Sequence, residues 1–132
     1  MNKIACTLLV DDDNTANYLN QLLFERLEAT EKLLVAHNGQ EALTLLTENC
    51  PGKGCPTLIL LDINMPIMDG FEFLEAYEQL NFKEKQNIII VVLTTSLNPM
   101  DVQKVEQAKI AGLINKPLSK KALQEIIEQH FN

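Results

Sequence analysis

The sequence predicts an α/β domain built on a single parallel sheet with helices on both faces. Three observations lead there. The runs "IACTLLV" (Ile4–Val10), "TLILL" (Thr57–Leu61) and "NIIIVVL" (Asn87–Leu93) are apolar almost throughout. Strands covered on one face would alternate, so these suit strands buried on both. Helical patterns separate the strands, giving strand–helix repeated five times, which implies parallel pairing through right-handed crossovers. Finally, 132 residues with 46% hydrophobic and 22% charged make one folded domain with one core.

Each element has a local reason. The first strand, Ile4–Val10, runs into three consecutive aspartates, Asp11, Asp12 and Asp13. In "NTANYLNQLLFERLEA" the pairs Tyr18/Leu19 and Leu22/Leu23, then Leu27, recur at helical spacing. Asp13 is expected to begin this helix, where a negative charge complements the dipole. "EKLLVA" (Glu31–Ala36) is a weaker, flanking strand. "NGQEALTLLTEN" follows, with Asn38 as N-cap and Glu41 three residues on, a capping-box spacing. After Thr57–Leu61 comes a loop containing Pro66 and Gly70, then "GFEFLEAYEQL" as a third helix. Asn87–Leu93 leads to "NPMDVQKVEQA", with Asn98 as cap and Pro99 at the first helical position, where its missing N–H costs little. "GLIN" (Gly112–Asn115) is a short fifth strand. "SKKALQEIIEQHF" closes the chain, capped by Ser119 and carrying Leu123, Ile126 and Ile127 on one face. With no linker, low-complexity tract or internal repeat, the expected organisation is one domain over 1–132 and no output domain.

Charge narrows the function. Eleven Lys and Arg against eighteen Asp and Glu leave −7, which argues against nucleic acid as a direct partner and disfavours anionic lipid. The longest apolar runs fall far short of the roughly 18 residues a membrane helix needs. Lys3 before a short apolar segment mimics a secretion signal, but no cleavage site follows, so a cytoplasmic protein is expected. Cys6, Cys50 and Cys55 are an odd count. The pair in "CPGKGCP" allows a disulfide or a share in a metal site; a zinc site usually needs four ligands, and only His37 and His130 remain. Free thiols in a reducing compartment are the expected state. His37 is read as a loop residue, and His130 as a dipole-compatible residue in the last helical turn.

The strand ends hold the chemistry. Open parallel sheets bind ligands at the carboxyl ends of their strands. There the sequence puts Asp11 and Asp12, Asp62 in "LLDINMPIMDG", Thr94 in "LTTS" and Lys116 in "INKP". Asp11 and Asp12 with Asp62 form an oxygen-rich set suited to a hard cation, Mg²⁺ or Mn²⁺. Such a cation would offset the repulsion among adjacent carboxylates and neutralise charge on an incoming phosphoryl group. A carboxylate serves as nucleophile to give an acyl phosphate. Asp62 is the better choice, since it ends the most central-looking strand. Lys116 supplies a point charge and Thr94 a hydrogen bond, and phosphoryl transfer asks for little more than such positioning.

The ordered segments "VDDD", "LLDINMPIMDGFEFL", "VVLTTS" and "INKPLS" resemble the receiver domain of two-component response regulators, over essentially the whole chain. The resemblance implies a (βα)5 flavodoxin-like, CheY-like three-layer fold with strand order 2-1-3-4-5. It implies Asp62 as phosphoacceptor, Asp11 and Asp12 as acidic metal ligands, and the Asn64 backbone carbonyl as a further ligand. Thr94 becomes the switch hydroxyl and Lys116 the site lysine, followed by Pro117 in a cis bond. The Asn64 side chain and Ser96 would tune the lifetime of the phosphoaspartate. A sensor histidine kinase or histidine phosphotransfer protein would donate, and the signal would leave by docking to a further protein.

Three features depart from the family pattern. Leu113 stands where many members carry an aromatic switch residue, so an aromatic rotamer change is not the readout. Thr95 follows Thr94 where a smaller residue is common. "KIAG" (Lys109–Gly112) lacks the first glycine of the usual lead-in, leaving the fourth helix without its obvious C-cap. Two other classes share parts of this pattern. Haloacid-dehalogenase-type phosphatases place an aspartate two residues after the nucleophile as general acid, but here that residue is Asn64, which does not protonate a leaving group. A pseudo-receiver, an interaction module without phosphorylation, would not need all five site residues. The expected protein is not an enzyme beyond promoting its own phosphorylation and dephosphorylation.

Overall fold

A computed structural model of the chain describes residues 3–50, 52, 54–95 and 98–131. Five parallel strands, β1 (Ile4–Val10), β2 (Thr30–Ala36), β3 (Leu58–Asp62), β4 (Ile89–Thr94) and β5 (Gly112–Asn115), form one sheet in the order β2-β1-β3-β4-β5. The helices are α1 (Asn14–Leu27), α2 (Gly39–Asn49), α3 (Gly70–Glu78), α4 (Pro99–Gln107) and α5 (Lys120–His130), with a 3-10 turn at Lys83–Asn87 before β4. Strand order and alternation agree with the sequence expectation.

The reason the central strands are apolar throughout is visible in β3. Ile59 and Leu61 pack with Leu8, Val10, Leu46 and Phe73 on one side of the sheet. Leu58 and Leu60 pack with Leu9, Val91, Phe24, Leu123 and Ile127 on the other. Successive residues point to opposite faces, and both faces are covered. At the edge, β2 is only partly buried, which is why its apolar signal is weaker.

Local capping explains the helix starts. Asp13 caps α1, accepting from the Thr15 and Ala16 N–H groups at 2.9 and 3.4 Å. Asn98 caps α4 with Pro99 in its first turn, and Ser119 caps α5. The reciprocal box expected at Asn38 and Glu41 forms only in half. The Glu41 N–H donates to Asn38 Oδ1 at 2.9 Å, but the Glu41 carboxylate turns to the His37 N–H and ring. The complete box is at α3, where the Glu72 N–H donates to Asp69 Oδ1 and the Asp69 N–H to Glu72 Oε1. Without a glycine, α4 ends at Ala108, which turns to extended backbone while its N–H donates to Val105 O at 3.1 Å.

One cysteine expectation is corrected. Cys50 and Cys55 are joined in a disulfide across a Cα–Cα distance of 4.7 Å, and only Cys6, buried in β1, is a free thiol among the described residues. The expectation of free thiols was argued from compartment. Local geometry decides otherwise: Cys50 is the C-cap of α2, and Cys55 lies in the lead-in to β3, so the chain folds back on itself within five residues. Among the described residues no helix is long and apolar enough to cross a membrane.

A close approach sets the join between β3 and α3. The Gly70 N–H donates to Ile63 O at 2.9 Å, and a Cβ on Gly70 would lie 2.7 Å from Asp62 O and 2.8 Å from Ile63 Cα. Both are backbone atoms, so relief requires moving the strand end. Gly70→Ala is expected to cost about 2 kcal/mol or more in urea unfolding. Gly112→Ala, whose Cβ meets nothing within 4 Å, should stay close to wild type.

Candidate functional site

Parallel register brings four strand ends together. Val10 pairs with Leu61, Asp62 with Leu93, and Thr94 with Asn115, so residues 11, 62, 94 and 116 finish at one edge of the sheet. Two backbone bonds carry the ladder past the strands: the Asp11 N–H donates to Ala36 O at 3.0 Å, and the Lys116 N–H to Thr94 O at 2.8 Å. The Lys116–Pro117 peptide is cis.

Asp11, Asp12 and Asp62 each offer a carboxylate oxygen, and these atoms lie within 4.8 Å of one another. Asp11 and Asp62 are buried, while Asp12 faces solvent. The ammonium of Lys116 sits between the two buried carboxylates, 2.6 Å from Asp11 Oδ2 and 3.3 Å from Asp62 Oδ1. The lysine thus offsets part of the repulsion among the aspartates. Asp11 is further held by the Asp13 N–H, which donates to Asp11 Oδ1 at 2.9 Å. Burial most of all, then the Asp11 charge, pushes the Asp62 carboxyl up to about 6, against the opposing pull of Lys116. Burial draws the Lys116 ammonium down, but the hydrogen bonds and charges of Asp11 and Asp62 outweigh it and leave its pKa raised. Three hard oxygen donors in so small a cluster, open to water through Asp12, fit a Mg²⁺-sized ion.

Thr94 is buried at the end of β4, whereas Thr95 beside it is exposed. Asn64 is exposed two residues past Asp62, and Leu113 is 44% exposed on β5. Ser96 lies outside the described residues. His37 is exposed and pairs with Glu41 at 3.1 Å, and His130 is exposed in the last turn of α5; neither belongs to the acidic cluster.

Two contributors escaped the sequence reading. Asn17 is buried on α1 and its Nδ2 donates to Asp11 O at 2.9 Å, fixing the backbone of the acidic pair. The available signal was an asparagine seven residues before buried Phe24, on the face that should hold only apolar side chains. The other is the turn after Asp62. The Met68 N–H donates to Pro66 O at 2.7 Å across Ile67, whose φ is 67°. A β-branched residue in that region costs of order 1–3 kcal/mol. Nothing in the residue types "PIM" announces it.

With this geometry in hand, comparison with known proteins is decisive. The family model of the response regulator receiver domain matches residues 7–128. The chain belongs to that family. A crystal structure of a two-component response regulator from Cytophaga hutchinsonii superposes on this receiver domain with a TM-score of 0.87 at 31% identity, covering 98% of both chains. Response regulator Rcp1 of Synechocystis is 31% identical over 92% of this chain and 82% of its own length. Hybrid signal transduction histidine kinase B of Dictyostelium discoideum is 33% identical over 98% of this chain, which spans only 7% of that kinase.

The buried charge carries a pH signature. Asp62 titrates at about 6 in the folded chain against 3.8 ordinarily, so between those values the folded state binds more protons than the unfolded. Stability therefore falls as pH rises through that window. Asp62→Asn should lack this loss. In metal-free buffer its thermal midpoint is expected to exceed wild type by roughly 3–5 °C at pH 7.5 and by little near pH 4. A variant melting below wild type at pH 7.5 would contradict the assignment.

Proposed function

We propose that this receiver domain is a phosphorylation switch in which Asp62 accepts a phosphoryl group with a divalent ion bound. The observation that carries the reading is the Lys116 ammonium bridging Asp11 and Asp62 at 2.6 and 3.3 Å, beside a third carboxylate. Receiver domains of this kind take phosphoryl groups from histidine kinases.

In the proposed transfer, an Asp62 carboxylate oxygen attacks the phosphorus of a partner's phosphohistidine. The O–P bond forms, the P–N bond breaks, and the imidazole nitrogen leaves with the electron pair and takes a proton from solvent. Asp11, Asp12, Asp62 and the Asn64 carbonyl would hold Mg²⁺ or Mn²⁺, which supplies charge neutralisation on the phosphoryl oxygens. Lys116 serves as the second positive charge, released in part from Asp11 to meet a phosphoryl oxygen. Thr94 donates its hydroxyl to another. The Asn64 side chain and Ser96 would, by the family resemblance, tune how long the phosphoaspartate lasts. Asn64 also stands where a phosphatase of the dehalogenase type needs a general acid, which favours a single self-phosphorylation over turnover.

The output reading places the change on α4, β5 and α5. Met100 and Val102 on α4 and Leu113 on β5 are exposed apolar side chains, and a docking protein that reads phosphorylation would cover such groups. We propose a cytoplasmic protein that acts through protein partners rather than nucleic acid or membrane, consistent with its −7 charge.

Incubation with acetyl phosphate and Mg²⁺ is expected to add one phosphoryl group by intact mass. The adduct should be absent from Asp62→Asn, and its formation slowed at least 10²-fold in Lys116→Ala. An unmodified wild-type chain would instead mark a pseudo-receiver, and continuous phosphate release from many esters a phosphatase.

A further inference from the structure

The segment between β3 and α3 holds a shape that its own residues do not favour. Ile67 is 81% exposed, so its side chain buries almost nothing to offset a φ of 67°. The restraint comes from outside. At the base, the Gly70 N–H donates to Ile63 O at 2.9 Å. At the tip, the N–H of Gly39, first residue of α2, donates to Met68 O at 2.9 Å. Helix starts leave such amides without intrahelical partners, and here the loop takes one. With the Met68 side chain in place, glycine alone fits without displacement: a Cβ on residue 39 would lie 2.7 Å from Met68 Cγ, 2.9 Å from Sδ and 3.0 Å from the Met68 carbonyl oxygen.

We propose that Gly39, acting through Met68, is a positioning residue for the Asp62 site. The clamp fixes the path of residues 63–69, and with it the aim of the Asn64 carbonyl and the end of β3 that carries Asp62. Gly39 itself is on another element and belongs to no part of the acidic cluster. The inference rests on the reading of Asp11, Asp12, Asp62 and Asn64 as a Mg²⁺ site. Coupling of this kind is reciprocal, so an ion that prefers the clamped loop must also tighten the clamp.

Mg²⁺ titration by calorimetry tests it on wild type, Gly39→Ala, Met68→Ala and the double variant, with Gly112→Ala as a glycine control in open space. Gly39→Ala is expected to weaken Mg²⁺ binding about tenfold, the usual scale for groups that orient metal ligands. The double variant should recover most of that loss, because removing the Met68 Cγ and Sδ clears the two nearest clashes. A measurement on the unaltered chain stands beside it: exchange of the Gly39 amide should slow when Mg²⁺ is added. Wild-type affinity in Gly39→Ala, failure of the second substitution to restore it, or unchanged amide exchange would each overturn the inference while leaving the functional reading standing. A wild-type chain that binds no Mg²⁺ would overturn both.

Discussion

Everything at the sheet edge depends on burying two carboxylates beside one ammonium. Asp11 and Asp62 lie out of water at the ends of neighbouring strands, a placement that costs several kcal/mol per ion unless each is paired. Lys116 supplies the pairing from the end of β5, with β3 and β4 lying between it and β1. The balance is incomplete, because two negative charges share one positive; the raised Asp62 carboxyl records its burial first and the Asp11 charge second. A domain selected for stability alone would replace such a group. Retaining it leaves a site that is short of positive charge, a shortage that the divalent ion of the proposed function would relieve.

How far the sequence led follows from the kind of information each feature needs. Apolar runs report burial on both faces directly, so the five strands and their alternation with helices were readable. The strand-end residues 11, 62, 94 and 116 were readable for a related reason: parallel register carries equivalent ends to one edge whatever the side chains are. Contacts decided by side-chain rotamers or by how two elements meet were not. The capping box moved from Asn38 to Asp69 because the Glu41 carboxylate found His37, a choice decided by local rotamers rather than by spacing. The Cys50–Cys55 pair was judged by compartment, while the end of α2 and the start of β3 decide how close the two residues come. The clamp between Gly39 and Met68 joins residues 29 positions apart and leaves no periodic trace.

The energetics bear on how the proposed switch would work. A charge-assisted hydrogen bond from Thr94 to a phosphoryl oxygen contributes about 1.5–3 kcal/mol. Moving a two-state population from 1:99 to 99:1 takes about 5.5 kcal/mol, so Thr94 alone falls short. Two features narrow the gap. Lys116 gains a stronger partner once charge accumulates on Asp62, and α4 is inexpensive to move. Of its nine residues only Val105 is buried, its C-terminus lacks a glycine cap, and Met100 and Val102 already face water. By contrast α5 buries Leu123, Ile126 and Ile127, and α3 buries Phe73, Leu74 and Tyr77. A force applied at Thr94 meets least resistance in the helix that follows it. With Leu113 on β5 in place of an aromatic ring, the readable consequence of such a shift would be the changed arrangement of exposed apolar groups on α4 and β5, which the partner protein of the proposed function would sense by covering them.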